Sequence, residues 1–88
     1  MMNVLFTDDA WHEYVEWMIL DKRVCKAINV LIEDIRRNGP LKGNGQPEVL
    51  KHFKGCSRRI NHEHRLVYTF DKNGDTLCIV SCEGHYDD

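Results

Sequence analysis

Residues 66–70, with the sequence LVYTF, admit few structures other than a β-strand, because Val, Tyr, Thr and Phe favour a pleated, half-buried surface. Side chains alternate between the two faces of a strand. The alternation predicts that Leu66, Tyr68 and Phe70 point into the core. Arg65, Val67 and Thr69 then point to the opposite face. A guanidinium fixed on a strand suits phosphate recognition, because its planar fork matches two phosphate oxygens at once.

The chain before this strand has a helical pattern. Residues 4–6 predict a short first strand, after which Thr7 is a candidate N-cap for one helix and Asp21 for the next. The predicted apolar stripe of the first helix is Trp11, Tyr14, Val15 and Met18, and that of the second is Val24, Ile28, Leu31 and Ile35. Gly39 and Pro40 predict the end of the second helix, because proline cannot continue its hydrogen bonds.

The chain after Pro40 has the pattern of a loop followed by strands. Residues 41–46 predict a loop, and residues 57–60, 64–70 and 76–82 predict strands. Residues 71–75 contain an Asn-Gly pair, which predicts a tight hairpin turn with positive φ angles at that pair.

The order of these elements predicts an α+β fold, with an N-terminal strand and a helix hairpin packed on one face of a mainly antiparallel sheet. We expect residues 1–88 to form a single domain. The chain contains neither a run of eighteen apolar residues nor a signal-peptide pattern, so we predict no membrane association and a cytoplasmic location.

The cysteines and histidines do not predict a metal site. The four cysteines lack a CxxC pair, and in a reducing compartment we expect them to be small, buried apolar residues. His62 and His64 form an HxH pair, but a third ligand with suitable spacing is missing. We therefore predict no metal and no cofactor.

Charge is distributed unevenly along the chain. Residues 36–65 carry eight Lys or Arg against two acidic residues, in a chain whose total net charge is −2. Such segregation predicts a local anion-binding surface on an otherwise acidic body. A uniform nucleic-acid coat would instead make the whole domain basic.

Candidates are present for each role in metal-independent RNA cleavage, which needs a base, a cation beside the phosphate and an acid for the leaving oxygen. Glu48 lies among the cations and could accept a proton, Arg65 could bind the phosphate, and His85 could protonate the leaving group. Further candidate RNA- or phosphate-binding residues are Lys51, Arg58, Arg59 and Tyr86.

Ordinary structural roles are alternatives for the same residues. Glu48 could form a salt bridge with Lys51, and Arg65 could form one with Glu63 on the surface. His85 could be a solvated residue near the end of the chain.

Four stretches together resemble the YoeB/Txe toxins of bacterial toxin–antitoxin systems, within the RelE superfamily. They are DKRVCKAINVLIEDIRRNG, GNGQPEVLKH, SRRINHEHRLVYTF and the C-x-x-H-Y ending at Tyr86. The resemblance implies a RelE-like fold and a ribosome-dependent mRNA endoribonuclease that inhibits translation. It also implies a cognate antitoxin of the YefM/Phd kind and a homodimer as one oligomeric state.

The resemblance also implies roles for individual residues. It makes Glu48 the base, Arg65 the phosphate-stabilising residue and His85 the acid. The matching supporting residues are Lys51, Arg59 and Tyr86. The alternative is a non-enzymatic inhibitor that binds gyrase or the ribosome through the basic face, because one fold can serve both functions.

Overall fold

A computed structural model describes residues 2–84, which form two helices and a five-stranded sheet. The elements are β1 (Asn3–Phe6), α1 (Asp8–Leu20), α2 (Lys22–Asn38), β2 (Glu48–Val49), β3 (Cys56–Arg59), β4 (Arg65–Asp71) and β5 (Thr76–Ser81). The strand order is β1-β5-β4-β3-β2, with β1 parallel to β5 and the other neighbours antiparallel. The predicted α+β architecture is confirmed.

The predicted helix boundaries are also confirmed. The Thr7 hydroxyl accepts a hydrogen bond from the Ala10 amide at 3.1 Å and begins α1. The Asp21 carboxylate accepts one from the Arg23 amide at 3.0 Å and begins α2. Gly39 ends α2 with a φ of +94°, a conformation that favours glycine.

The two helices differ in how well their buried faces were predicted. All four residues of the predicted α2 stripe are buried against the sheet. The predicted α1 stripe is partly wrong, because Trp11 and Met18 are 49% and 47% exposed. α1 instead turns Ala10, Tyr14 and Trp17 towards the core. Apolar residues occur around much of the circumference of α1, so helical spacing alone does not select one face.

The predicted orientation of Leu66, Tyr68 and Phe70 towards the core is confirmed, although Phe70 is only partly buried and Val67, on the opposite face, is buried too. The turn that follows β4 differs from the prediction. Leu66 and Tyr68 are fully buried in the core. The β4–β5 connection is a four-residue loop, 72–75, and its positive φ lies at Asp75 rather than at the Asn-Gly pair. The Asp71 carboxylate accepts a hydrogen bond from the Gly74 amide at 3.0 Å, which favours this longer turn. Neither helix in the described part of the chain has the length and apolar character needed to cross a membrane.

Candidate functional site

The sheet has one face under the helices and one face free of them. Leu66 and Tyr68 of β4 point towards the helices, so Arg65 lies on the helix-free face. The strand register pairs Arg59 with Arg65, and Glu48 with Ser57. Because paired residues share a face, the helix-free face brings these four polar side chains together.

The Arg65 guanidinium is held in place by β3 and by the segment before β2. Its Nε donates a hydrogen bond to Ser57 Oγ at 3.0 Å, and its Nη2 reaches the Gln46 carbonyl oxygen at 3.4 Å. The same Nη2 lies 3.9 Å from Glu48 Oε2. The Arg65 side chain is only 12% exposed, whereas that of Glu48 is 62% exposed. A fixed cation and an accessible carboxylate therefore stand side by side on the helix-free face.

The supporting cations lie at the margins of this pair. Arg59 is exposed and sits directly across from Arg65. Lys51 is exposed on a loop that begins after β2 and is closed by a hydrogen bond from the Leu50 amide to the Gly55 carbonyl. Both can extend positive potential beyond the Glu48–Arg65 pair.

The prediction that Arg58 binds phosphate is wrong, because its side chain is completely buried on the helix side of the sheet. Its Nε donates to Tyr68 Oη at 3.0 Å, and its Nη1 forms an ion pair with the Asp34 carboxylate. The remaining N–H groups donate to the carbonyl oxygens of Asn44, Gly39 and Lys42 at 3.0, 2.9 and 2.7 Å. All five guanidinium donors are thus used within the protein. We refer to Arg58, Asp34 and Tyr68 as the loop clamp.

The loop clamp fixes the chain that leads to Glu48. The Asp34 carboxylate accepts a hydrogen bond from the Asn44 amide at 2.9 Å. This amide is the largest influence holding the pKa of Asp34 below its ordinary value; burial opposes it, and Arg58 adds to it. Gly43 is required here, because a Cβ atom would lie 1.9 Å from Asp34 Oδ2. The residues that precede Glu48 are therefore anchored from inside the protein.

Burial affects the tyrosine of the loop clamp as well. It raises the pKa of Tyr68, and the hydrogen bond from Arg58 partly opposes that effect. The Tyr68 hydroxyl also donates to the Pro40 carbonyl oxygen. It therefore acts as a neutral hydrogen-bonding group that ties β4 to the start of the loop.

The segment after β5 is fastened by side chains for which the sequence analysis predicted no such role. Both backbone polar groups of Cys82 are hydrogen-bonded to side chains of α1. Its amide donates to Glu13 Oε1 at 2.8 Å, and its carbonyl oxygen accepts from Trp17 Nε1 at 3.0 Å. The Gly84 amide donates to His64 Nδ1 at 2.8 Å, and its carbonyl accepts from the backbone amide of Arg65 at 3.0 Å. We refer to Glu13, Trp17 and His64 as the tail clamp.

The last two predicted site residues, His85 and Tyr86, lie outside the described residues. The residue before them, Gly84, is bonded to the backbone of Arg65. Within residues 2–84, three or more His, Cys, Asp or Glu side chains do not gather into a cluster suited to a metal ion.

Some contributions to the site could not be identified from the sequence. Ser57 becomes recognisable only from the β3–β4 register, which sets it beside Arg65. Glu13 and Trp17 lie more than sixty residues from Cys82 in the sequence. For His64, the sequence signal was its place directly before the candidate phosphate-binding residue Arg65.

Comparisons with known proteins find relatives that match nearly the whole chain. A family model described as the YoeB-like toxin of bacterial type II toxin–antitoxin systems matches residues 6–86. Toxin YoeB of Escherichia coli (strain K12) is 46% identical over 87 residues, covering 97% of this chain and 100% of that protein. The YoeB dimer from Staphylococcus aureus superposes with a TM-score of 0.89 at 46% identity, covering 97% of this chain and 98% of that one. The toxin chain in a heterotetrameric YoeB–YefM toxin–antitoxin complex from Staphylococcus aureus gives 0.88 at 45% identity, with 98% and 99% covered.

Proposed function

The chain belongs to the YoeB family of toxins from bacterial type II toxin–antitoxin systems, and on that premise we propose that it is an endoribonuclease that cleaves messenger RNA on the ribosome. The 2′-hydroxyl oxygen attacks the adjacent phosphorus, and the bond from phosphorus to the 5′-oxygen breaks. The products are a cyclic phosphate and a free 5′-hydroxyl. The observation that carries this proposal is the Glu48–Arg65 pair on the helix-free face, with its N···O distance of 3.9 Å.

In this proposal Glu48 is the general base. Its exposed carboxylate can reach a substrate hydroxyl while it remains next to a cation. The contact with Arg65 is long for an ion pair, so an incoming nucleotide can enter without breaking a short hydrogen bond.

Arg65 stabilises the charge that develops on the phosphate oxygens. Ser57 and the Gln46 carbonyl fix the guanidinium before substrate arrives, so little reorganisation is needed during the reaction. Arg59 and Lys51 attract the flanking RNA backbone. The buried Arg58 is left out of the RNA-binding set.

His85 is proposed to protonate the leaving 5′-oxygen, and Tyr86 to orient the phosphate or stack on a base. His85 directly follows Gly84, whose carbonyl oxygen accepts a hydrogen bond from the Arg65 amide. These side chains supply every proton transfer that the reaction needs, so the mechanism invokes no cofactor.

A YefM-like antitoxin is the proposed partner, as it is for the Staphylococcus aureus relative. We expect it to contribute an acidic, partly disordered segment that covers the cationic face. A homodimer is also proposed, because a YoeB dimer is known from Staphylococcus aureus. The bacterial cytoplasm, where translation occurs, is the expected location.

Primer extension on a translated message tests the proposal with Glu48→Gln and His85→Ala. We expect ribosome-dependent breaks in the wild type and a loss of about 10²- to 10⁴-fold in each variant. Glu16→Gln and His12→Ala, exposed positions on α1, are the matched controls and should cleave like the wild type. Growth inhibition without breaks in the wild type, retained in both site variants, would favour the non-enzymatic inhibitor.

A further inference from the structure

The chain beyond β5 leaves the sheet while its backbone groups are still hydrogen-bonded. Strand pairing ends at Ser81, and the amides and carbonyls of Cys82 and Gly84 bond mainly to side chains of the tail clamp. We propose that His64 is a positioning residue that sets where the chain enters residue 85. This inference rests on the proposed nuclease function, in which residue 85 carries the acid.

His64 acts on Gly84 through a defined tautomer. A backbone N–H can only donate, so Nδ1 must be the acceptor in the 2.8 Å contact with the Gly84 amide. The neutral ring therefore carries its proton on Nε2. The carbonyl of Gly84 is bonded at 3.0 Å to the amide of Arg65, the next residue after His64. The consecutive residues His64 and Arg65 thus bond both backbone polar groups of Gly84, its N–H and its C=O.

Hydrogen bonds hold Gly84 at both of its backbone polar groups. A Cβ atom built on this residue would lie more than 4 Å from the other side chains and backbone atoms of residues 2–84, and its φ of +77° lies where glycine is favoured. The bonds to His64 and Arg65 therefore fix the orientation of the Gly84 backbone, from which the chain continues. Loss of one bond should widen the range of positions open to the residue that follows.

Trp17 in turn holds the His64 ring. The two rings meet edge to face, with centroids 4.8 Å apart and an interplanar angle of 69°. The Trp17 indole N–H is directed to the Cys82 carbonyl. α1 therefore supports both the tail and the imidazole that holds the tail.

Two polar substitutions of His64 separate positioning from general stability. The Asn side-chain oxygen lies near the position of Nδ1, whereas that of Gln lies near Nε2. His64→Asn should keep the acceptor for Gly84, while His64→Gln and His64→Phe should lose it. The single-turnover rate of cleavage, measured at saturating programmed ribosomes, should fall about 10- to 100-fold in His64→Gln and His64→Phe. The ribosome concentration that gives half of the maximal rate should change little. Asn should restore most of the rate.

Amide hydrogen exchange at Gly84 reports on the contact without any need for cleavage. We expect the Gly84 amide to be protected in the wild type and in His64→Asn, and to exchange faster in His64→Gln and His64→Phe. His12→Phe, at an exposed position on α1, is the control and should alter neither exchange at Gly84 nor the cleavage rate.

Each outcome of these measurements decides the question. Equal cleavage and equal Gly84 exchange in Asn and Gln would overturn the positioning role, even if Phe fails to fold. Changed exchange with unchanged cleavage would show a structural contact that does not position the acid, which also overturns it. If the wild type does not cleave RNA, the proposed function fails by itself, and Gly84 exchange alone decides whether the clamp exists.

Discussion

Arg58 and Arg65 lie on adjacent strands, and each faces a carboxylate, but their surroundings differ sharply. The Arg58–Asp34 pair has side chains that are 0% and 11% exposed, and the Arg65–Glu48 pair has values of 12% and 62%. Arg58 places all five donors on protein acceptors. Arg65 makes one short side-chain bond, to Ser57, and two longer contacts.

The difference shows how one residue type serves structure in one place and chemistry in another. A buried charge is tolerable only when its hydrogen bonds are satisfied, and satisfaction leaves no capacity for a ligand. A cation with long, partly exposed contacts can exchange them for phosphate oxygens. The loop clamp and the Glu48–Arg65 pair are therefore expected to respond differently to mutation.

The largest expected effect is on stability, from Arg58→Met. It would leave Asp34 and three loop carbonyls without their partner, so the free energy of unfolding should fall by about 3–5 kcal/mol. Urea denaturation followed by circular dichroism measures this. The neighbouring exposed arginine supplies the control, since Arg59→Met should change stability by only about 0.5 kcal/mol. Similar losses in both variants would contradict the contrast between the two faces.

The next effect is on activity, from Arg65→Lys. Lysine keeps the charge but lacks the planar fork, so cleavage on programmed ribosomes should fall about 10²-fold. The melting temperature should change much less than in Arg58→Met. Full activity in Arg65→Lys would show that a point charge suffices and that the fixed guanidinium is not needed.

Acid stability provides a third comparison, through Asp34→Asn. The pKa of Asp34 is lowered in the folded state, chiefly by the Asn44 amide and further by Arg58. Its stabilising contribution is therefore present above the ordinary carboxyl pKa of about 4 and is lost as pH falls below it. Wild-type unfolding free energy should decline as the pH is lowered through this range, and the Asn variant should be less stable at neutral pH with a flatter decline. Glu16→Gln, an exposed helix position, should retain the wild-type slope. Parallel pH profiles for wild type and Asp34→Asn would argue against this assignment.

The smallest expected effect concerns the margin of the site, through Arg59→Ala. Removing this exposed cation should slow association with an acidic antitoxin segment a few-fold at low salt, and the difference should vanish at high salt. Stopped-flow association kinetics measure this. Arg23, 93% exposed on the helix side and paired with Asp21, is the matched control. Equal slowing in both variants would indicate a general charge effect rather than a directed surface.

Elements with strong local signals were predictable from sequence. Caps at Thr7 and Asp21 and the stop at Gly39 set the helix ends, because these signals act within one turn of the chain. The buried face of α1 was not predictable, since Trp11 and Trp17 are the same residue type and only contact with the rest of the fold selects between them. The site was anticipated as far as Glu48 and Arg65, which the structure brings into contact. Their catalytic roles, with that of His85, remain predictions.

The sequence by itself determined the family, the order of elements and the residues available for chemistry, because each of these depends on local pattern. The two adjacent arginines at 58 and 59 look equivalent in it. Tertiary structure decided between them, because neighbouring residues of a strand face opposite sides and the helices cover only one side. All hydrogen-bond donors of the buried Arg58 side chain are used within the protein, whereas Arg59 lies beside Arg65 on the exposed face. Long-range contacts alone could join α1 to the tail, since the groups of the tail clamp are distant in sequence and meet only after the sheet has formed.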